Sequence, residues 1–390
     1  MKRLYVNAKV VCRDAVRETA VLTEDAKILA VGDRFDAPDA ETVDCGGLYL
    51  SPGFADIHVH GGGGYSAMSE DPADIIAMAK AHLAFGVTAI VPTTLAAPVE
   101  TLCACRETVA RAMTAAPELG ILGIHFEGPF LSPKKAGAQS PGSILTPTNE
   151  AVEQLLDRKE IVRMIGAAPE IENGMMVGEA ARERGITASV AHSDASFEVA
   201  EQALRHGYSD VTHLFSACSA MHKEGIFRQV GVAEAGLALD GYTTQFIGDL
   251  KHLPYGAIKL IYACKGPDRA YVISDGLEFC CCDLPDGTLV TQKNGQTALV
   301  EDGVMKLRDR SCLAGSVTPL SWMVKNLLAC GVPLHDAVTM ASHTPLSVIG
   351  FGNRKGQIAP GYDADLILFD EEIRVRTAIV GGEVRFRAES

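Results

Sequence analysis

Eight short, nearly continuous apolar runs recur between residues 53 and 275, and longer stretches with helical spacing separate them. The runs are FADIHVH (54–60), AIVPTT (89–94), ILGIHFEG (121–128), VRMIGAA (162–168), ITASVAH (186–192), DVTHLF (210–215), TTQFIGD (243–249) and AYVISD (270–275). The helix-like segments between them include Pro72 to Phe85, Val99 to Ala115, Val152 to Asp157, Met175 to Arg184, Phe197 to Arg205 and Tyr255 to Ala263. Apolar runs alternating with helices predict a parallel sheet built from βα units, hence the α/β class. Eight such units fit a (β/α)8 TIM-like barrel, with an open doubly wound sheet as the competing arrangement. In a barrel, the chemistry belongs at the C-terminal ends of the strands.

The flanks have a different pattern. KRLYVNAKVV, ETAVLTEDAKILAVG and ETVDCGGLYL at the start, and DADLILFD, EEIRVRTAIV and EVRFR at the end, are strands with turns. Strand-only segments around a helical middle predict a small β-sandwich domain from both termini, residues 1–51 plus 353–390, around a barrel of 52–352. A β insertion is expected at about 277–311, where Asp286-Gly287, Asn294-Gly295 and Asp302-Gly303 mark hairpins.

Composition narrows the partners. A hydrophobic share of 47% and a charged share of 22% are ordinary for a globular enzyme. The formal charge of −14 argues against nucleic acid and anionic membranes, while a local basic pocket for a small anion stays open. The opening MKRLYVNAKVV has too short an apolar run for a signal peptide, and no stretch is long enough to span a bilayer, so a cytoplasmic protein is expected. The eleven cysteines are odd in number, and the one cluster, Cys280-Cys281-Cys282, has the wrong spacing for a zinc knuckle. Reduced thiols are the simplest reading.

Metal-ligating residue types collect at the ends of the predicted strands. The first ends in His58-Val59-His60, and strand alternation puts both imidazoles on one face. Glu127, His192 and Asp275 end the third, fifth and eighth, and His213 lies near the end of the sixth. Inward-pointing His and carboxylate groups from several barrel strands can share one site. That donor set suits zinc, or iron, better than the oxygen-rich sites of magnesium or calcium.

The run PGFADIHVHG resembles the opening barrel strand of the amidohydrolase superfamily. GIHFEGPFLSPKKAGAQSP resembles the signature of N-acetylglucosamine-6-phosphate deacetylases, as do GVTAIVPTT, AAPE, VAHSDA, THLF, KHLP with IKLIY, ISDG and LAGS. The tail KGQIAPGYDADLILFD is similar to the superfamily's closing β segment, so the likeness spans nearly the whole chain. It implies Glu127, His192 and His213 as principal metal ligands and Asp275 as the catalytic aspartate. It also implies that His58 and His60 either hold a second ion bridged by Glu127 or merely hydrogen-bond in a one-metal site. The implied reaction is hydrolysis of N-acetylglucosamine 6-phosphate to glucosamine 6-phosphate and acetate. A metal lowers the pKa of its bound water to roughly 7 and polarises the carbonyl. Asp275 would serve as general base and then general acid.

The likeness is looser where the sugar should lie. The family's THLFNAM reads THLFSAC, which puts Ser216 beside Ala217 in place of an amide with paired donor and acceptor. The family's next stretch usually carries an Arg for the sugar phosphate; here it reads MHKEGIFRQVG, which leaves Lys223 or Arg228 for that role, with His222 and His252 as further members of a local positive pocket. Gln139 stands where many relatives carry a substrate-facing His. These departures keep a related N-acetylhexosamine, such as N-acetylgalactosamine 6-phosphate, and a non-catalytic sugar-binding protein as alternatives. A cyclic-amide hydrolase fits less well, because the strand-three glutamate stands where those enzymes often use a carboxylated lysine. The resemblance further implies a homodimer in which a partner reaches the phosphate site.

Overall fold

Each of the eight apolar runs forms a strand in the computed structural model, which describes residues 1–291 and 297–389. They are β1 (Phe54–Val59), β2 (Val87–Thr94), β3 (Ile124–Glu127), β4 (Val162–Ala167), β5 (Thr187–Val190), β6 (Tyr208–Val211), β7 (Thr243–Ile247) and β8 (Ala270–Ile273). Neighbours in sequence pair in parallel throughout, in one sheet ordered β8 to β1. Every residue of β1, β2 and β3 is buried, as parallel strands covered on both faces must be.

The barrel closes between β8 and β1 just beyond the strand ends. The Asp275 N–H donates to the His58 carbonyl (3.0 Å) and the His60 N–H to that of Gly276 (2.8 Å). One helix follows each strand: α1 (Pro72–Leu83), α2 (Val99–Ala115), α3 (Asn149–Leu156), α4 (Gly174–Glu183), α5 (Phe197–Arg205), α6 (Val232–Ala238), α7 (Tyr255–Arg269) and α8 (Leu320–Ala329). The expected α3 began at Val152, but the Thr148 hydroxyl accepts from the Ala151 N–H and starts the helix three residues earlier. Two short helices, α9 (Leu334–Ala341) and α10 (His343–Val348), follow α8.

The terminal strands form one continuous eight-stranded sheet. Its layers stay connected because Lys2–Val11 is long enough for two partners on one edge, Glu41–Asp44 against its first half and Tyr49–Pro52 against its second. The chain's end joins through Leu366–Phe369, which lies antiparallel to Tyr49–Pro52. The sheet curls over its own core, where Val21 and Ile28 from one end share a cluster with Leu366 and Ile379 from the other.

The insertion is a three-stranded antiparallel sheet of Leu289–Thr291, Thr297–Glu301 and Val304–Leu307. Asp302-Gly303 makes one hairpin turn, with both residues at positive φ. Asp286-Gly287 instead leads into the first of these strands, and Asn294-Gly295 lies outside the described residues. Among the described residues no helix is long and apolar enough to cross a membrane.

Candidate metal centre

Glu127, the last residue of β3, is buried at the mouth of the barrel, and four histidines surround its carboxylate. Its Oε1 lies 2.9 Å from His213 Nε2, 3.2 Å from His192 Nε2 and 3.4 Å from His58 Nε2. Its Oε2 lies 3.3 Å from His60 Nε2. Asp275 completes the ring, with Oδ1 3.1 Å from His60 Nε2 and 3.6 Å from His58 Nε2. His192, His213 and Asp275 follow the ends of β5, β6 and β8 at φ of 43°, 25° and 47°. Non-glycine residues in this region are uncommon and concentrate at functional sites.

The arrangement fits a cation. The Nδ1–H of His58 donates to Gln245 Oε1 (2.8 Å), that of His192 to the Lys135 carbonyl (2.8 Å) and that of His60 to the Thr93 carbonyl (3.1 Å). A proton fixed on Nδ1 leaves the Nε2 lone pair facing inward, the usual second-shell device of metal-ligating histidines. The Nε2 atoms then stand in pairs, 3.3 Å apart in His58–His60 and 3.3 Å apart in His192–His213. Two imidazole nitrogens on one tetrahedral zinc would be separated by about 3.3 Å, given bonds of 2.0–2.1 Å. The groups His58, His60, Glu127 and Glu127, His192, His213 share the glutamate.

The electrostatics agree. Burial alone would raise the Glu127 pKa, but the charges of His58 and His192 and the histidine hydrogen bonds hold it well below the usual range. Burial alone would lower the His60 pKa, yet hydrogen bonds with Asp275 and Glu127 raise it to about 10. Two buried carboxylates thus demand positive charge here, whether from protons or from a metal.

A cavity of about 430 Å³ opens above this ring, within the size range of small-ligand sites. Gln139, Ser216, Ala217 and His252 line it, as expected from the sequence. Gln139 has both ends of its amide engaged, however. Its Nε2–H donates to Glu127 Oε2 (2.6 Å) and its Oε1 accepts from the Ala96 N–H (2.8 Å). It therefore holds the carboxylate in place and keeps one N–H and one oxygen lone pair for the cavity.

Lys223 and Arg228 are not brought to this cavity. They face each other across an exposed hairpin of His222–Glu224 and Phe227–Gln229. The lysines that do line it are Lys134 and Lys135, both near Asp194 (3.3 and 3.5 Å). They stand inside the LSPKKAGAQSP segment, where the charge pair was the available signal. Gln245 and Asp210 are also new. Gln245 passes the support of His58 on to Asp210 Oδ2 (2.8 Å), which in turn accepts from the Ser189 hydroxyl (2.7 Å).

The profile of the amidohydrolase family matches residues 49–387. The chain is 31% identical over 358 residues to N-acetylglucosamine-6-phosphate deacetylase of Danio rerio, covering 88% of this chain and 86% of the relative. Among solved structures, the Pasteurella multocida N-acetylglucosamine-6-phosphate deacetylase superposes with a TM-score of 0.91 at 28% identity, covering 99% of this chain and 100% of the other. A Mycobacterium smegmatis N-acetyl-D-glucosamine-6-phosphate deacetylase mutant in complex with N-acetyl-D-glucosamine-6-phosphate superposes at 0.89 with 26% identity, covering 98% of each chain.

Proposed function

Since the chain belongs to the amidohydrolase family and, within it, to the N-acetylglucosamine-6-phosphate deacetylases, we propose that it hydrolyses N-acetylglucosamine 6-phosphate to glucosamine 6-phosphate and acetate. The observation that carries this reading is the convergence of Glu127 and four Nε2 atoms on one point, with Asp275 at its edge and a cavity above.

In this reading Glu127, His192 and His213 hold the principal ion, and His58 and His60 offer a place for a second. Zinc is the preferred ion on donor type, with iron as the alternative. A bound divalent cation supplies Lewis acidity and an activated water at neutral pH. Asp275 takes the proton of the attacking water and returns it to the departing nitrogen. It is held ionised for that task. Burial would raise its pKa, but the His60 hydrogen bond and the charges of His58 and His60 bring it below the ordinary value.

Among the described residues, Lys134, Lys135 and His252 line the cavity as cations for a sugar phosphate within one subunit. The exposed hairpin of Lys223 and Arg228 contributes only across an interface, consistent with a homodimer. Its tip leaves Ile226 and Phe227 87% and 69% exposed, an apolar surface for a second copy to cover.

The test is metal analysis with acetate release from phosphorylated and unphosphorylated N-acetylglucosamine and N-acetylgalactosamine. The expected result is bound metal and fastest release from N-acetylglucosamine 6-phosphate. Bound metal with no acetate from any of the four removes the substrate assignment. Preference for the unphosphorylated sugars removes the phosphate role of the cavity lysines.

A further inference from the structure

A second cluster of metal-ligand atoms lies where the barrel closes, and none of its residues lines the cavity. His82 on α1, Cys280 and Cys281 bring Nδ1 and two Sγ atoms within 4.8 Å of one another, and both His82 and Cys280 are fully buried. The sequence offers only adjacent cysteines. The third ligand comes from a helix 199 residues away from Cys281, so no spacing rule reveals it.

The geometry is that of ligands already oriented. The Nε2–H of His82 donates to the Gly61 carbonyl (2.9 Å), which leaves the Nδ1 lone pair facing Cys281 Sγ at 3.6 Å. The two sulfur atoms are 3.9 Å apart. Zinc bonds of about 2.3 Å to sulfur and 2.0–2.1 Å to nitrogen, at tetrahedral angles, require about 3.6 Å for N···S and about 3.8 Å for S···S. Adjacent side chains on an extended chain point to opposite sides. Cys280 and Cys281 instead sit in a turn, and Cys281 adopts φ 65°, rare for a non-glycine residue, so both sulfurs reach one place. The backbone also makes room for the imidazole, because a Cβ on Gly62 would fall 2.4 Å from His82 Nε2.

We propose that His82, Cys280 and Cys281 bind one zinc-class divalent cation, which clamps α1, and through the His82–Gly61 hydrogen bond the segment after β1, to the segment after β8. These segments already meet through backbone hydrogen bonds, from the Gly61 N–H to the Gly276 carbonyl (2.9 Å) and from the Gly63 N–H to the Cys280 carbonyl (2.7 Å). His60 precedes one segment and Asp275 the other, so the clamp fixes two members of the candidate centre from behind. Binding breaks two S–H bonds, forms two metal–thiolate bonds and releases both protons to solvent. Neither sulfur is oxidised.

The test is cobalt(II) substitution in the full-length protein. Glu127 and its histidines offer only nitrogen and oxygen, so thiolate-to-cobalt charge-transfer absorption reports sulfur ligation alone. Cys312 lines the catalytic cavity and supplies the control. The expected result is a charge-transfer band that survives Cys312→Ser and disappears in Cys281→Ser, with cobalt content lower by one per chain. In the wild-type protein, zinc should also protect Cys281 from alkylation until a chelator is added, a readout that needs no variant. No band in the cobalt-loaded protein, or a band that follows Cys312, overturns the site. So does a native mass two hydrogens light from a Cys280–Cys281 disulfide, or alkylation of Cys281 that ignores zinc.

Discussion

Asp275 and Gln139 separate two roles that side chains can play around one carboxylate. Asp275 touches His60 but belongs to neither ligand group that shares Glu127. Asp275→Asn should therefore keep its metal content while kcat falls about 10²–10⁴-fold, the usual contribution of a positioned acid–base group. Full turnover in that variant takes Asp275 out of the mechanism. Gln139 acts on the ligand itself through its 2.6 Å hydrogen bond to Glu127 Oε2. Hydrogen bonds to charged groups are worth roughly 1.5–3 kcal/mol, and lost outer-shell partners typically lower metal affinity about 10–100-fold. Gln139→Leu should show that weakening in a competitive chelator titration, and an unchanged affinity would mean the amide does not position Glu127. Glu127, His192 and His213 could be picked out as candidates in the sequence because each lies at or near the end of an apolar run. Gln139's occupation was not, because its two partners, Ala96 and Glu127, are brought together only by folding.

At the scale of elements, the barrel strands were the most readable part of the chain. A strand buried on both faces needs near-continuous apolar sequence, and turns and helices set it off clearly. Short polar elements gave no such signal. The hairpin of His222–Glu224 and Phe227–Gln229 is exposed along its whole length, so no buried face imposes a period-two pattern on it. Its lysine and arginine could be named from the sequence, but their distance from the cavity could not. The hairpin's apolar tip leads to a prediction. If the second copy of the proposed homodimer docks on this tip, Phe227→Asp should shift dimer to monomer in light scattering, because an unpaired carboxylate would have to be buried at the interface. A dimer of unchanged strength would show that the second copy docks elsewhere.

Across the whole molecule, the two chain ends must find each other before the sheet that flanks the barrel exists, and one half-buried lysine marks the junction. Lys355 Nζ hydrogen-bonds Asp365 and lies 3.0 Å from Asp363, which also pairs with Lys27 at 2.7 Å. Asp365 accepts from the Gly381 N–H through its side chain and from the Gly53 N–H through its carbonyl, next to β1. The sequence showed strands at both ends, but not the charge cluster that joins them. Lys355→Met should lower the unfolding free energy by roughly 1–3 kcal/mol, because the buried Asp365 carboxylate loses its cation while Asp363 keeps Lys27. The pH dependence has a definite sign. Burial would raise the Asp363 pKa, but the Lys27 hydrogen bond and the Lys355 charge bring it below 3.8. Its contribution is therefore present above the unfolded value and lost as pH falls through the lower folded one. Lys355 has the opposite window. Burial would lower its pKa, but Asp365 and Asp363 raise it above 10.5, so its contribution fades only as pH rises through that higher value. Denaturant unfolding from neutral pH down through the carboxylate range checks both statements. The variant should unfold at lower denaturant when neutral and lose less further stability on acidification than the wild type. Equal midpoints at neutral pH, or an identical acid slope, would show that the cluster does not hold the terminal sheet to the barrel.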